Sequence, residues 1–189
     1  MIPKILHQVW LGKNPIPNKF LEWREGWKHL HPEWDYMLWT DEKIVEIESI
    51  IKIPKQYSSK SNIVRLWCVL KYGGVYCDMD FQWNKNINHL LNNKAFCAKE
   101  TPNVYCNAIF GSIPNNPWLE YQYELALKHL KKPAPWGPKV MTEACIKFPH
   151  SYTDLPTFTF YPYLWDLPFK DSSTFPDSLA VHHWEKSWR

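Results

Sequence analysis

The chain is short of several features that would assign it to a class at once. Its five cysteines, Cys68, Cys77, Cys97, Cys106 and Cys145, form no CxxC pair, and an odd count speaks against a complete disulfide framework. A reducing compartment is expected. Lys and Arg exceed Asp and Glu by only three charges over 189 residues and are scattered, so the basic stripe of a nucleic-acid binder is absent. No apolar run approaches membrane-spanning length, and the first residues enter a strand-like segment without a charged-then-apolar leader. A soluble, cytoplasmic protein is expected, peripheral to a membrane only through whatever it acts on. There is no internal repeat and no linker long enough to divide the chain, so residues 1–189 are read as one domain.

What is abundant is aromatic: 12 Trp and 10 Tyr. Such rings fill cores, but they also stack on sugars and nucleobases. Apolar residues make up 45% of the chain and charged ones 22%, as in a globular domain.

The order of elements is alternating. Ile2 to Trp10 reads as a buried strand stopped by Gly12, Pro15 and Pro17, and Phe20, Trp23, Trp27 and Leu30 recur at helical spacing. Asp35 to Trp39 is a second strand, and Thr40 or Asp41 could cap a helix bearing Ile44, Ile47, Ile50 and Ile51. Ser61 to Tyr72 is helical, with Ile63, Leu66, Trp67 and Leu70 on its core face and Gly73-Gly74 ending it. Val75 to Cys77 is a central strand. Further strands are expected at Ala95 to Ala98, at Val104 to Ile113 with an interruption at Asn107, and at Phe158 to Tyr161. Leu119 to Leu130 and Lys139 to Phe148 read as helices, and Lys132 to Pro138 as a loop. This β-α-β-α order predicts a mostly parallel sheet flanked by helices.

The central strand delivers Asp78-Met79-Asp80 at its carboxyl end, the edge where open α/β sheets bind ligands. Two carboxylates one residue apart point to the same side of an extended backbone and suit a hard cation. A bare Asp-x-Asp is usually a solvated turn. Here a buried strand ends in two acids, whose joint burial would be costly without a cation.

Other candidates carry two readings each. His182-His183-Trp184 could supply an imidazole to a metal, or pack in an aromatic core. Lys186 could neutralise phosphate. Trp10 could stack on a base, Arg65 could reach hydroxyls or phosphate or pair with an acid, and Glu143 could reach an acceptor hydroxyl or lie in solvent.

Taken together, IPKILHQVW, SNIVRLWCVLKYGGVYCDMD and AVHHWEKSW resemble glycosyltransferase family 32, sugar transferases with a DXD motif and a GT-A fold. They are similar, more distantly, to the glucosylating domains of large clostridial toxins. The resemblance implies a GT-A, Rossmann-like α/β fold and a retaining transferase dependent on Mn²⁺ or Mg²⁺. It implies that Trp10 stacks on the base, Val9 lines the same pocket, and Tyr76 and Asp78 touch the nucleotide. Asp80 would bind the metal directly with His182, Asp78 beside them, and Arg65 would contact the donor sugar. Lys186, Ser187 and Trp188 would close over the diphosphate. Asn62 departs from the family, which usually has Ser-Asp where this chain has Ser61-Asn62. An amide both donates and accepts where a carboxylate only accepts.

The expected donor is a UDP-sugar, with GDP-sugars as the alternative, and the acceptor a polysaccharide, glycolipid or protein. A non-catalytic module that binds nucleotide-sugar or glycan is the rival reading. A metal-dependent phosphohydrolase ranks behind it, because a two-metal site would recruit more carboxylates or histidines.

Overall fold

The computed structural model describes residues 1–45, 47, 56–129 and 136–185. Eight strands and four helices are named here in chain order. The strands are β1 (Ile5–Val9), β2 (Asp35–Trp39), β3 (Gly74–Cys77), β4 (Phe81–Trp83), β5 (Ala95–Thr101), β6 (Val104–Ser112), β7 (Thr153–Leu155) and β8 (Ala180–His182). The helices are α1 (Asn18–Leu30), α2 (Tyr57–Tyr72), α3 (Pro117–His129) and α4 (Gly137–Lys147).

Six strands form one sheet in the order β2-β1-β3-β6-β5-β7. The pairings β2–β1, β1–β3 and β5–β7 are parallel, while β3–β6 and β6–β5 are antiparallel. This is the mixed, mostly parallel sheet expected from the order of elements.

Alternate residues of a strand face opposite sides, and each side of this sheet has its own core. Tyr76 and Cys97 point into a cluster with Ile63, Leu66, Trp118 and Val140, so α2, α3 and α4 cover that face. Val75, Cys77 and Phe96 point into the other, with Trp27 of α1, Phe81, Phe160 and Ala180. The aromatic surplus is therefore largely structural: Trp27 and Trp118 are almost wholly buried.

The turn from α2 into β3 depends on two glycines. Gly73 caps the helix at φ 68° and Gly74 follows at φ 102°, and a Cβ on Gly74 would lie 2.6 Å from the Ile5 carbonyl oxygen. Only glycine combines that backbone conformation with that approach.

Several expectations need correction. Phe158 to Tyr161 is not a strand: Pro156 precedes a 3-10 turn over Thr157–Thr159. β6 runs through Asn107 without interruption, the irregularity lying in its register with β5. Gly137 and Pro138, expected in a loop, open α4, with proline in the first turn, where its missing N–H costs nothing. Asp41 accepts a hydrogen bond from the Gly12 N–H at 2.6 Å, and the helix that it or Thr40 was expected to cap lies largely outside the described residues. Ile44 and Ile47 are buried as expected, whereas Ile50, Ile51 and residues 130–135 lie outside the described residues.

A buried histidine in β1 links this fold to pH. His7 Nδ1 accepts from the Trp39 indole N–H at 3.2 Å, which leaves Nε2–H to donate to the Gly73 carbonyl at 2.8 Å. Burial, opposed by the Gly73 bond, pulls its pKa from 6.5 to about 4. The unfolded chain therefore binds a proton between those values that the folded one refuses. The stability contributed by His7 is fully present above pH 6.5 and falls by about 1.4 kcal/mol per pH unit down to about pH 4. Thermal melts from pH 7 to pH 4 should include this slope, and His7→Gln should make the fall shallower while leaving the share of His183, which burial likewise pulls to about 4.

Candidate functional site

The two acids of the Asp-x-Asp motif converge, though by a different route from the extended one. Residues 78–80 form a turn after β3, with Met79 buried beneath it. The chain then enters β4, which pairs antiparallel with β8 in the register Phe81↔His182. That register brings a residue from the far end of the sequence beside Asp80. His182 Nε2 lies 3.2 Å from Asp80 Oδ1, and the His183 N–H donates to the Asp80 carbonyl at 2.9 Å. Ligand atoms of Asp78, Asp80 and His182 all fall within 4.8 Å of one another. Among the described residues this is the group arranged to hold a metal ion.

Each acid has its own support. Asp78 Oδ1 accepts from the Tyr76 hydroxyl and faces the Arg65 guanidinium at 3.2 Å. Arg65 is itself buried, donating to the Asn107 carbonyl at 2.7 Å and the Ser61 hydroxyl at 3.2 Å, and it lies 4.6 Å from the centre of the Tyr76 ring. Asp80 Oδ2 accepts from the Glu185 N–H at 2.8 Å.

Burial, reinforced by Asp80 and opposed by Arg65, pushes the Asp78 carboxyl above its usual range. Burial acts on Asp80 in the same sense, but His182 and the Glu185 N–H outweigh it and hold Asp80 below that range. Two neighbouring acids driven apart in this way mark a site rather than a fold element.

The triad opens on a cavity of about 800 Å³. Val9, Trp10, Asn62 and Arg65, all candidates from the sequence, line it. Trp10, half-buried at the end of β1, is oriented by its indole N–H donating to the Asn14 carbonyl at 2.8 Å. Tyr76 is not on the wall: it is 1% exposed and acts on the site through Asp78. Lys186, Ser187 and Trp188 lie outside the described residues. Glu143 faces away from the cavity, bonded to the Tyr121 hydroxyl at 3.0 Å.

Sequence reasoning missed several wall residues: Asn107, Gly137, Glu100, Trp165 and Trp184. Asn107 donates to Asn62 Oδ1 at 2.8 Å, and a Cβ on Gly137 would lie 2.3 Å from the Asn107 amide nitrogen and 2.7 Å from Asn62 Oδ1. The departure at position 62 is thus built into the wall, its oxygen committed to Asn107. Trp184 adopts φ 58°, uncommon for a tryptophan, and its ring lies 4.1 Å from that of His182.

A turn holding two acids, an imidazole returned by β8, and an aromatic-walled cavity at the carboxyl ends of β1 and β3 come together here on a GT-A fold. The comparisons agree with that fold. Residues 17–97 match the family described as "Glycosyltransferase sugar-binding region containing DXD motif".

The chain is 34% identical over 127 residues to inositol phosphoceramide mannosyltransferase 3 of Schizosaccharomyces pombe, a match covering 62% of this chain and 35% of that protein. It is 32% identical over 144 residues to a mannosyl phosphorylinositol ceramide synthase of Saccharomyces cerevisiae, covering 69% of this chain and 35% of that one. It thus spans little more than a third of these curated relatives.

In fold it resembles the PaToxG glycosyltransferase, with a TM-score of 0.65, 17% identity, and 77% of this chain and 69% of that one covered. It also resembles a glycosyltransferase involved in glycosylation of the major capsid of PBCV-1, with a TM-score of 0.57, 15% identity, and 94% and 92% covered. Residues 17–97 thus resemble the sugar-binding region of the DXD-motif glycosyltransferases, on a GT-A fold shared with these two structures.

Proposed function

We propose that this chain is the catalytic domain, in one piece from residue 1 to 189, of a metal-dependent glycosyltransferase that moves a sugar from a nucleotide-sugar to a lipid-borne hydroxyl. The observation that carries this reading is the convergence of Asp78, Asp80 and His182 within 4.8 Å at the floor of the cavity. Two carboxylates and an imidazole suit Mn²⁺ or Mg²⁺, and the raised Asp78 carboxyl is what a buried acid pair shows when a cation would relieve it. Asp80 and His182 would hold the ion, with Asp78 beside them. When bound it supplies Lewis-acid stabilisation of the departing diphosphate.

The chain's own residues do the rest. Trp10 offers a ring face to the base, with Val9 beneath it. Arg65, clamped by Asn107 and Ser61, holds positive charge against the donor without having to reorganise. Asn62, its oxygen taken by Asn107, presents its amide N–H groups to a sugar hydroxyl. The acceptor oxygen bonds to the anomeric carbon on the face that the phosphate leaves, and its proton passes to the departing phosphate oxygen, so configuration is retained. Glu100, half-buried on the wall, is placed to orient the incoming hydroxyl. Lys186, Ser187 and Trp188 remain assigned to closure over the diphosphate.

The mannosyl names of the relatives favour mannose as the sugar and a sphingolipid-like acceptor. The carrier nucleotide, UDP or GDP, is left to the test. Five free cysteines support a reducing, cytoplasmic setting, and no helix among the described residues is long and apolar enough to cross a membrane.

Thermal-shift screening of UDP- and GDP-sugars with and without Mn²⁺ tests this reading. A donor at a hundred times its Kd should raise Tm by roughly 5–10 °C only when the metal is present, and turnover should follow with that donor. A shift without transfer or hydrolysis would instead identify the non-catalytic binding module. Phosphate release from simple phosphoesters would identify the hydrolase.

A further inference from the structure

Most of the chain's large apolar side chains are buried, but three exposed ones fall within five residues. Trp165, Leu167 and Phe169 are 57%, 51% and 59% exposed. They sit on irregular backbone, held by one turn in which the Leu167 N–H donates to the Leu164 carbonyl at 3.1 Å. An exposed apolar cluster of this kind marks an interaction site. The loop also belongs to the rim of the catalytic cavity. Trp165 lines that cavity, and the Phe169 ring lies 4.8 Å from that of His183, the neighbour of His182.

We propose that this loop docks the protein on a bilayer, inserting Leu167 and Phe169 into the interfacial region so that the cavity mouth faces a lipid-borne acceptor. The proposal rests on the reading of the chain as a glycosyltransferase with such an acceptor. A bilayer fits the loop better than a folded partner does. Irregular backbone presents neither a helix face nor a strand edge for a protein to pair with. A tryptophan flanked by leucine and phenylalanine suits the boundary between headgroups and acyl chains. Two acids, Asp166 and Asp171, outnumber the one base, Lys170, around the cluster, so attachment draws on apolar insertion rather than on anionic lipid. The docking accounts for how a water-soluble donor and a lipid acceptor meet in one cavity.

Co-flotation of the purified chain with phosphatidylcholine vesicles, at low and high salt, tests this. The parent should float at both. The Leu167→Ser/Phe169→Ser variant should bind roughly tenfold less, and Leu167→Ser alone should fall between, with its donor-induced thermal shift unchanged. The proposal is overturned if the parent stays in the soluble fraction, or if the double variant floats as well as the parent. It is also overturned if, without vesicles, size exclusion shows a parent dimer that the variant dissolves, because the loop would then be a self-contact. Donor binding without flotation removes the docking and leaves the transferase. Flotation without donor binding does the reverse.

Discussion

Asp80→Asn should lower sugar transfer by roughly a hundredfold or more while leaving the fold close to intact. The asparagine keeps the size and one acceptor oxygen, so the Glu185 N–H that Asp80 now receives at 2.8 Å retains a partner. What is lost is the charge that faces His182 at 3.2 Å and gives the triad its anionic character. The Mn²⁺-dependent part of the donor thermal shift should vanish with it. Because Asp80 and Asp78 repel one another across a buried turn, removing one charge also relieves the other, and the unliganded Tm should move by only a few degrees. Glu143→Gln serves as the control: its side chain is bonded to Tyr121 outside the cavity, and its turnover should match the parent. Transfer rates and melts measured side by side on the two variants would decide. Equal activity of Asp80→Asn and the parent would remove the metal from the reading.

The parts of this site that were legible in the sequence are those made by local rules. Helical spacing through Ile63, Leu66 and Leu70, the Gly73-Gly74 break and the abrupt acids at 78 and 80 lie within one stretch of about twenty residues, and the spacing there reports the fold directly. His182 was legible only as a candidate, because its place depends on β4 and β8, two three-residue strands that no period-two pattern could reveal.

Phe158 to Tyr161 misled for the opposite reason. An apolar aromatic run reads as a strand, yet here it packs as a turn into the face beneath Phe81 and Phe96. Asn107 and Gly137 reach the wall through contacts that skip about thirty to forty-five residues, Asn62 to Asn107 and Asn107 to Gly137, and such contacts leave no local trace. Glu100 and Trp165 are the same case: an acid near the end of an ordinary strand and a tryptophan in a loop become cavity residues only once the sheet is assembled.

Arg65→Ala should be the most damaging single change to stability at the site. The guanidinium is the cation that faces Asp78 at 3.2 Å, and both groups are largely withdrawn from water, with side chains 9% and 27% exposed. Truncation leaves the Asn107 carbonyl without its donor and the Asp78 carboxylate buried beside Asp80. Breaking a buried pair from one side costs about 3–5 kcal/mol, taken at the lower end here because Asp78 retains some solvent. In a domain of this size that is a fall in Tm of roughly 6–12 °C. Most of the cost belongs to the stranded acid, so Arg65→Ala/Asp78→Asn should lose less than the sum of the single changes. The same logic sets the response to metal. With Arg65 gone, Asp78 keeps only the Tyr76 hydroxyl as a direct partner among the described residues while His182 stays with Asp80, and Mn²⁺ should raise the Tm of Arg65→Ala by more than it raises that of the parent. Calorimetry of the four proteins of this cycle, with and without Mn²⁺, measures both. Strict additivity together with an unchanged metal response would mean that Arg65 serves the core through Asn107 and Tyr76 and has no part in balancing the acids.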